Sequence, residues 1–360
     1  MSGSEPRPPA APSPVLPAAE RARLFEQRLA QVRRATAEAG EGAVLLETRR
    51  NFAWLTVGGL NHVVLATENG AAPLIVTQTA AVVLAPVNEA PRLAEEELHG
   101  LPVAVEALDW WDADAATGRA RQLNGGREPL REARLAQPLL DLRSSLARAE
   151  HARLAWLGRL VARSLGETLA GARAGVTEHD LAADALGRLA GAGVRAPVVL
   201  AAADGRIERF RHPLPTNARI GRRAMLVLVG EAWGLHVALT GLREIEPPSA
   251  DLERRMEACR QVLGAMREAS RPDSALGDVL EAAQAAYRAA GFAEEWRLHH
   301  QGGSIGYQGR ERIAVPGDRT PIRAGMALAW NPSIRGAKAE ETLYLDEAGR
   351  AHVVTTLEEA

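Results

Sequence analysis

Two adjacent histidines, a tyrosine and an Arg-Glu pair fall within Leu298–Glu311, LHHQGGSIGYQGRE, a span with four glycines and almost no aliphatic residue. A solvated loop has no need of His299, His300, Tyr307, Arg310 and Glu311 together. A core cannot hold them without partners, because buried polar groups must be hydrogen-bonded. The glycines predict tight turns or a close approach to the backbone. Two further polar clusters stand at strand ends or in loops feeding strands: Arg211-His212, and Asn331 with Lys338, Glu340 and Glu341. A histidine with a carboxylate partner is the usual acid/base unit, since its pKa lies near neutrality and the carboxylate sets tautomer and orientation. Lys338 and Glu340 would share one face of a strand, so an inward Glu340 has a cation two residues away. Each cluster also has a structural assignment: His299 and His300 can cap a helix or satisfy buried carbonyls, and Glu340 and Glu341 can divide between interior and solvent.

Other chemistries are not encoded. There is no phosphate loop, no dinucleotide glycine fingerprint after a strand and no nucleophile elbow. A dinuclear hydrolytic site needs several carboxylates and a histidine converging on its ions. The apolar hairpin MLVLVGEAWGLHVALTG offers only Glu231 at its turn and His236 on its second strand. The single cysteine, Cys259, lies in a helical pattern and is assigned to core packing, and it fits a reducing, cytoplasmic setting. A net charge of -2 argues against nucleic-acid and anionic-membrane partners. No apolar run reaches the ~18 residues that a membrane-spanning helix requires.

A chain of 360 residues with 46% hydrophobic residues suits two domains. Residues 1–19 read as a Pro/Ala tail rather than a signal peptide. Residues 20–138 read as a mixed α/β domain. A helix over 19–39 is followed by strands at Ala43–Leu46, Asn51–Leu55 and His62–Ala66, then a turn at Glu68-Asn69-Gly70 leading into Pro73–Thr77. Val103–Leu108 reads as another strand, and Trp110-Trp111 as a packing or subunit-contact feature. Residues 139–360 open with a long amphipathic helical region. Thr177, with Asp180 three residues on, caps a helix over 178–190. Strands are expected at Val198–Ala201, Met225–Val229, Leu235–Thr240, Met326–Trp330 and Gly336–Leu345, with helices at Ala250–Ser270 and Ser274–Ala290.

This order of elements resembles the pita-bread family of creatinase, prolidase and aminopeptidase P over about residues 20–355. RRNFAWLTVGG stands where that family has Asn-x-x-Tyr-Leu-Thr-Gly. Arg211-His212-Pro213-Leu214-Pro215-Thr216 matches its Arg/Ala-His-x-x-Pro-Thr stretch, and GAKAEETLYL its Arg-x-Glu-Asp-Thr stretch. The resemblance implies an α+β fold: an α/β N-terminal domain, then a pita-bread domain with a curved antiparallel sheet and covering helices. It also implies a dinuclear metal site, and there the match breaks. The two aspartate positions fall on Val227 and Ala238, or on Leu228 and Leu239 after a one-residue slip. The histidine position falls on Gly303, unless a shift brings in His299 or His300, and the first glutamate falls on Asn331. Glu340 alone survives.

Creatinase, which resembles the peptidases but works without metal, supplies the precedent. By that resemblance His212 transfers protons, with His299, His300 and Glu340 also catalytic. Glu340 and Glu311 hold a cationic or amide group, and Tyr307, Arg310, Asn331 and Lys338 complete substrate binding. No metal and no cofactor is expected. The expectation is a cytoplasmic homodimer that hydrolyses a C–N bond of a small polar or dipeptide-like substrate. Two alternatives stand beside it. One is an Xaa-Pro dipeptidase or aminopeptidase with an unorthodox metal site drawn from His299, His300, Glu311 and Glu340. The other is a non-catalytic module that binds a peptide or protein.

Overall fold

The computed structural model describes residues 14–357. The first thirteen residues of the expected tail therefore lie outside the described part, and a helix already begins at Ala18. The chain is α+β and forms two compact units, Val15–Ser145 with Trp233–Leu235, and Leu146–Ala232 with His236–Ala360.

The first unit carries α1 (Ala18–Glu38), β1 (Ala43–Thr48), α2 (Arg49–Leu55), β2 (Asn69–Thr77), β3 (Ala81–Pro86), α3 (Ala90–Arg92), β4 (Ala104–Leu108), α4 (Ala115–Leu123), β5 (Leu130–Arg131) and α5 (Ala136–Ser144). Its sheet runs β4-β3-β2-β1-β5. The pairs β1/β2 and β2/β3 are antiparallel, and β1/β5 and β3/β4 are parallel. Two expected strands are corrected. Asn51–Leu55 is helical, with all five side chains buried. A short apolar run buried on every side carries no periodicity that separates strand from helix. His62–Ala66 is irregular, and Val63, Val64 and Leu65 are exposed. Asn61 closes this loop through its carbonyl, which accepts from Ala71, and its side chain, which donates to Ala72. Asn69 and Gly70 open β2 instead of forming a turn, and Asn69 pairs with Thr48.

In the second unit α6 (Arg148–Ala170) and α7 (Glu178–Gly191) precede β6 (Arg195–Ala203), α8 (Gly205–Arg209), β7 (Arg223–Ala232) and β8 (Leu235–Glu244). Thr177 caps α7 as expected, accepting from the Asp180 N–H while Asp180 accepts from Thr177. Helices α9 (Ala250–Ala269) and α10 (Leu276–Ala289) follow, then β9 (Gly302–Ile305), β10 (Arg312–Ile313), β11 (Ala327–Trp330), β12 (Ser333–Ile334), β13 (Ala337–Lys338), β14 (Glu341–Leu345) and β15 (Ala351–Val353). The sheets are β6-β7-β8, β10-β9-β11-β14-β15 and the hairpin β12-β13. The single strand expected over Gly336–Leu345 is broken between β13 and β14. There Glu340 leaves its own sheet and bridges antiparallel to Thr240 on β8.

One apolar cluster joins α9 and α10 to the sheet behind the His-His segment, through Cys259, Val262, Met266, Leu276, Val279, Tyr287, Leu328, Trp330 and Leu343. Cys259 is a core residue, as its helical spacing suggested, and burial pushes its thiol up to about 12. The glycine pair before Ser304 is there for close approach. A Cβ on Gly302 would overlap the Ala329 carbonyl, and one on Gly303 the Arg312 carbonyl, so β9 can sit between β10 and β11 only without side chains here.

Candidate functional site

His212 lies in the long loop between α8 and β7, and one buried residue fixes that loop. The Glu178 carboxylate, fully enclosed at the first turn of α7, accepts from the Ala203 N–H, the Arg206 guanidinium, and both the N–H and hydroxyl of Thr216. Arg211 pairs with Glu295 at 2.6 Å. Glu295 opens the 3-10 turn Glu295–Leu298, which delivers the chain to His299. Beyond it Gln301, 1% exposed, donates to the His299 carbonyl at 2.6 Å and accepts from the Tyr287 hydroxyl at 2.8 Å. The Tyr287 oxygen also accepts from the Ser333 N–H. The His-His segment is thus tied to α10 and to β12.

These supports bring three imidazoles together. The Nε2 atoms of His212 and His299 are 3.0 Å apart, so one donates and the other accepts. His299 and His300 stack with centroids 4.4 Å apart, and His212 lies 5.9 Å from His300. Burial, with like charge from His300, pushes His299 down to about 3. Burial, with Arg310 next, pushes His300 down to about 4. Burial and Lys338 also lower His212. Each shift favours the neutral ring over the imidazolium.

Glu340 is the other fixed point. Its side chain is 2% exposed and meets Arg310 at 2.9 Å and Lys338 at 3.1 Å, while the Thr240 hydroxyl donates to it at 2.5 Å. Burial alone would raise this carboxyl, but Lys338 and Arg310 outweigh it and bring it down to about 2. Lys338 is the only lysine in a chain otherwise furnished with arginine.

A cavity of about 360 Å³ opens here, a size suited to a small ligand. Of the residues singled out in the sequence, His212, His300, Arg310, Asn331, Lys338 and Glu340 line it. His299 stands behind His212. Tyr307 and Glu311 are not brought to the wall: Tyr307 is buried and its hydroxyl donates to Glu150. Glu341 faces away from Glu340 and pairs with Arg267 at 2.8 Å. Pro197, Val198, Leu200, Val229, Gln308 and Gly309, which were not anticipated, complete the wall, together with Val227, where the family's first aspartate position falls, and His236 on β8. The Asn331 side-chain oxygen is buried and finds no hydrogen-bond partner among the described residues.

The sequence matches the model of metallopeptidase family M24 over residues 153–353. The chain belongs to that family. Its pita-bread fold is shared with solved structures of low sequence identity. The dipeptidase PepE of Mycobacterium ulcerans is 21% identical, with a TM-score of 0.73 over 93% of this chain and 96% of that one. The prolidase of Pyrococcus horikoshii is 16% identical, with a TM-score of 0.76 over 92% and 99%. The N-terminal domain of the FACT complex subunit SPT16 from chickpea is 11% identical, with a TM-score of 0.71 over 95% and 96%. No curated protein matches the chain by sequence.

M24 membership places the chain among peptidase-type hydrolases. The dinuclear centre implied by the resemblance would need carboxylate donors on β7 and β8. Val227 and Val229 give the β7 wall hydrocarbon, and Ala238 shares the face of β8 that carries His236 and Thr240. Hydrocarbon offers no lone pair to a cation. Glu340 already carries two cationic partners and a hydroxyl. The residues do not fit a carboxylate-bridged ion pair.

Proposed function

We propose that this M24 member hydrolyses a C–N bond of a small polar substrate by proton transfer at His212, in place of the dinuclear centre. The observation that carries this reading is the state of Glu340, the one aligned acidic ligand, whose carboxylate is taken up by Lys338, Arg310 and Thr240.

The chemistry follows from the imidazole pair. Two neutral rings with Nε2 atoms in contact share one proton. With His212 donating from Nε2 to His299, its Nδ1 keeps the ring's lone pair, which takes a proton from an attacking water and returns it to the leaving nitrogen. The new C–O bond replaces the C–N bond, and the water's second hydrogen stays on the acid product. Lys338 and Arg310 supply two positive charges against one on Glu340. That balance favours an anionic group of the substrate, or negative charge developing on its carbonyl oxygen. Glu340 therefore orients cations instead of binding one, which revises the part given to it on sequence grounds. Asn331 offers its free oxygen to a substrate N–H.

The reading includes a homodimer in the cytoplasm and a small-molecule or dipeptide-like substrate, with no nucleic acid. Two other readings have support. Xaa-Pro dipeptide hydrolysis is favoured by the prolidase-like fold. A binding role without turnover is supported by the likeness to the SPT16 domain, a domain of a complex subunit. Amine release from a panel of amides, ureas, guanidines and Xaa-Pro dipeptides separates them, measured on chelator-treated protein. Turnover that survives chelation and falls ~10²–10⁴-fold in His212→Ala fits the proposal. Turnover confined to Xaa-Pro dipeptides and to metal-loaded protein favours the second reading. Peptide binding without any turnover favours the third.

A further inference from the structure

We infer that His212, His299 and His300 form a site for a single divalent transition-metal ion, separate in ligands and in kind from a carboxylate-bridged pair. Among the described residues this is the only group of three or more histidine, cysteine or acidic side chains close enough to hold an ion. One ring nitrogen from each lies within 4.8 Å of the other two. Ligands about 2.0–2.1 Å from a tetrahedral zinc ion stand roughly 3.3 Å apart, so a modest rotation of the rings brings all three into range.

Two features of the geometry point the same way. Consecutive residues of extended chain send their side chains to opposite sides. His299 has extended backbone, yet its ring stacks on that of His300 and both meet His212. The His299 and His300 Nδ1 atoms are also buried without a hydrogen-bond partner among the described residues, and His299 is 9% exposed. Buried imidazole nitrogens normally have a partner. A metal ion uses one nitrogen of each ring as a lone-pair donor, and each face of the cluster then has a role.

The ligand type selects the ion. Three imidazoles with no convergent carboxylate favour Zn²⁺, Ni²⁺, Cu²⁺ or Co²⁺ over Mg²⁺ or Ca²⁺. Lys338 and Arg310 beside the cluster disfavour a hard cation held by charge alone, and Glu340 offsets one of them. Three protein ligands leave a fourth position open, which an anion fits. The ion occupies the lone pair that the proton-transfer reading assigns to His212, so on that reading bound metal inhibits turnover. The inhibition rests on the proposed function, whereas the binding does not.

The test uses the untagged full chain and Co²⁺ as probe, with Zn²⁺ as competitor. One equivalent of Co²⁺ should give the intense visible absorption of a four-coordinate site, and Zn²⁺ should abolish it. X-ray absorption on the Zn²⁺-loaded wild-type protein should show three imidazoles and no metal–metal distance, a readout that needs no variant. His212→Gln, His299→Gln and His300→Gln should each weaken affinity by more than the ~10–100-fold lost when an outer-shell partner is removed. His352→Gln, at the surface pair with Asp346, should leave affinity unchanged. Failure to bind Co²⁺ or Zn²⁺ at micromolar concentrations, fewer than three imidazoles, or a two-ion signal would overturn the site. If the single-ion site is confirmed and the ion proves necessary for turnover, the site stands and the proton-only reading falls.

Discussion

Thr216 donates both its N–H and its hydroxyl to the fully enclosed carboxylate of Glu178, at 2.9 and 2.7 Å. This contact fixes the far end of the loop that presents His212. Glu178→Ala strands four donors at once. Hydrogen bonds to charged groups contribute about 1.5–3 kcal/mol, and a loss of that order is expected in chemical unfolding. Activity should fall with it, because His212 loses its support while remaining in the chain. A Glu178→Ala protein with wild-type stability and kinetics would show that the loop is held some other way.

Glu340 and its cations should behave as one unit. Glu340→Gln leaves Lys338 and Arg310 without their buried counter-charge, and breaking such a pair costs about 3–5 kcal/mol. Glu340→Gln with Lys338→Met removes one of the stranded charges. The double variant should recover part of the loss, and a double-mutant cycle reads the coupling directly. Strict additivity would contradict the ion-pair geometry.

Lys338 should not be replaceable by arginine. The chain uses arginine for every other cation, so Lys338→Arg keeps the charge and the local composition. A planar guanidinium in a pocket 9% exposed overfills it, at about 1–3 kcal/mol, and loses the compact ammonium. The expected fall in kcat/KM is roughly tenfold or more, with the melting temperature lowered by a few degrees. Unaltered kinetics would remove Lys338 from the binding wall.

Acid stability should carry the mark of His151. Burial lowers this imidazole below its ordinary value, while the Gly325 carbonyl and Glu150 pull it back up only in part. The folded pKa lies below the unfolded one, so the unfolded chain takes up a proton first. The contribution is therefore present above about pH 6.5 and is lost as the pH falls through that value. His151→Phe retains a ring against Tyr344, which stacks at 4.2 Å. Unfolding free energies at about pH 7.5 and 5.5 should differ less for this variant than for wild type. Equal slopes would rule out His151 as a contributor.

The convergence of His212, His300, Arg310, Asn331, Lys338 and Glu340 was legible because clustered polar side chains in apolar surroundings require a shared destination. Tyr307 and Glu311 belonged to the same stretch, but both lie in the bends between β9 and β10, where no regular period says which side chains face the cavity. Glu178 stood only at the start of an expected helix and Gln301 had no assigned role, since their partners are distant in sequence. The uniqueness of Lys338 was a signal in the sequence itself: one lysine among forty-three basic residues, placed beside the surviving glutamate. Asn51–Leu55 and His62–Ala66 were misread as strands because both are short apolar runs. Burial made the first a helix, and the loop closed by Asn61 left the second exposed.

In the proposed mechanism, catalysis at His212 does not depend on a bound pair of metal ions. The direct measurement is amine release by protein stripped with chelator and verified metal-free by elemental analysis, compared with the same protein reloaded with Mn²⁺, Co²⁺ or Zn²⁺. Full turnover in the stripped protein, unchanged or reduced on reloading, is the predicted result. Turnover lost on stripping and restored by added metal would contradict it.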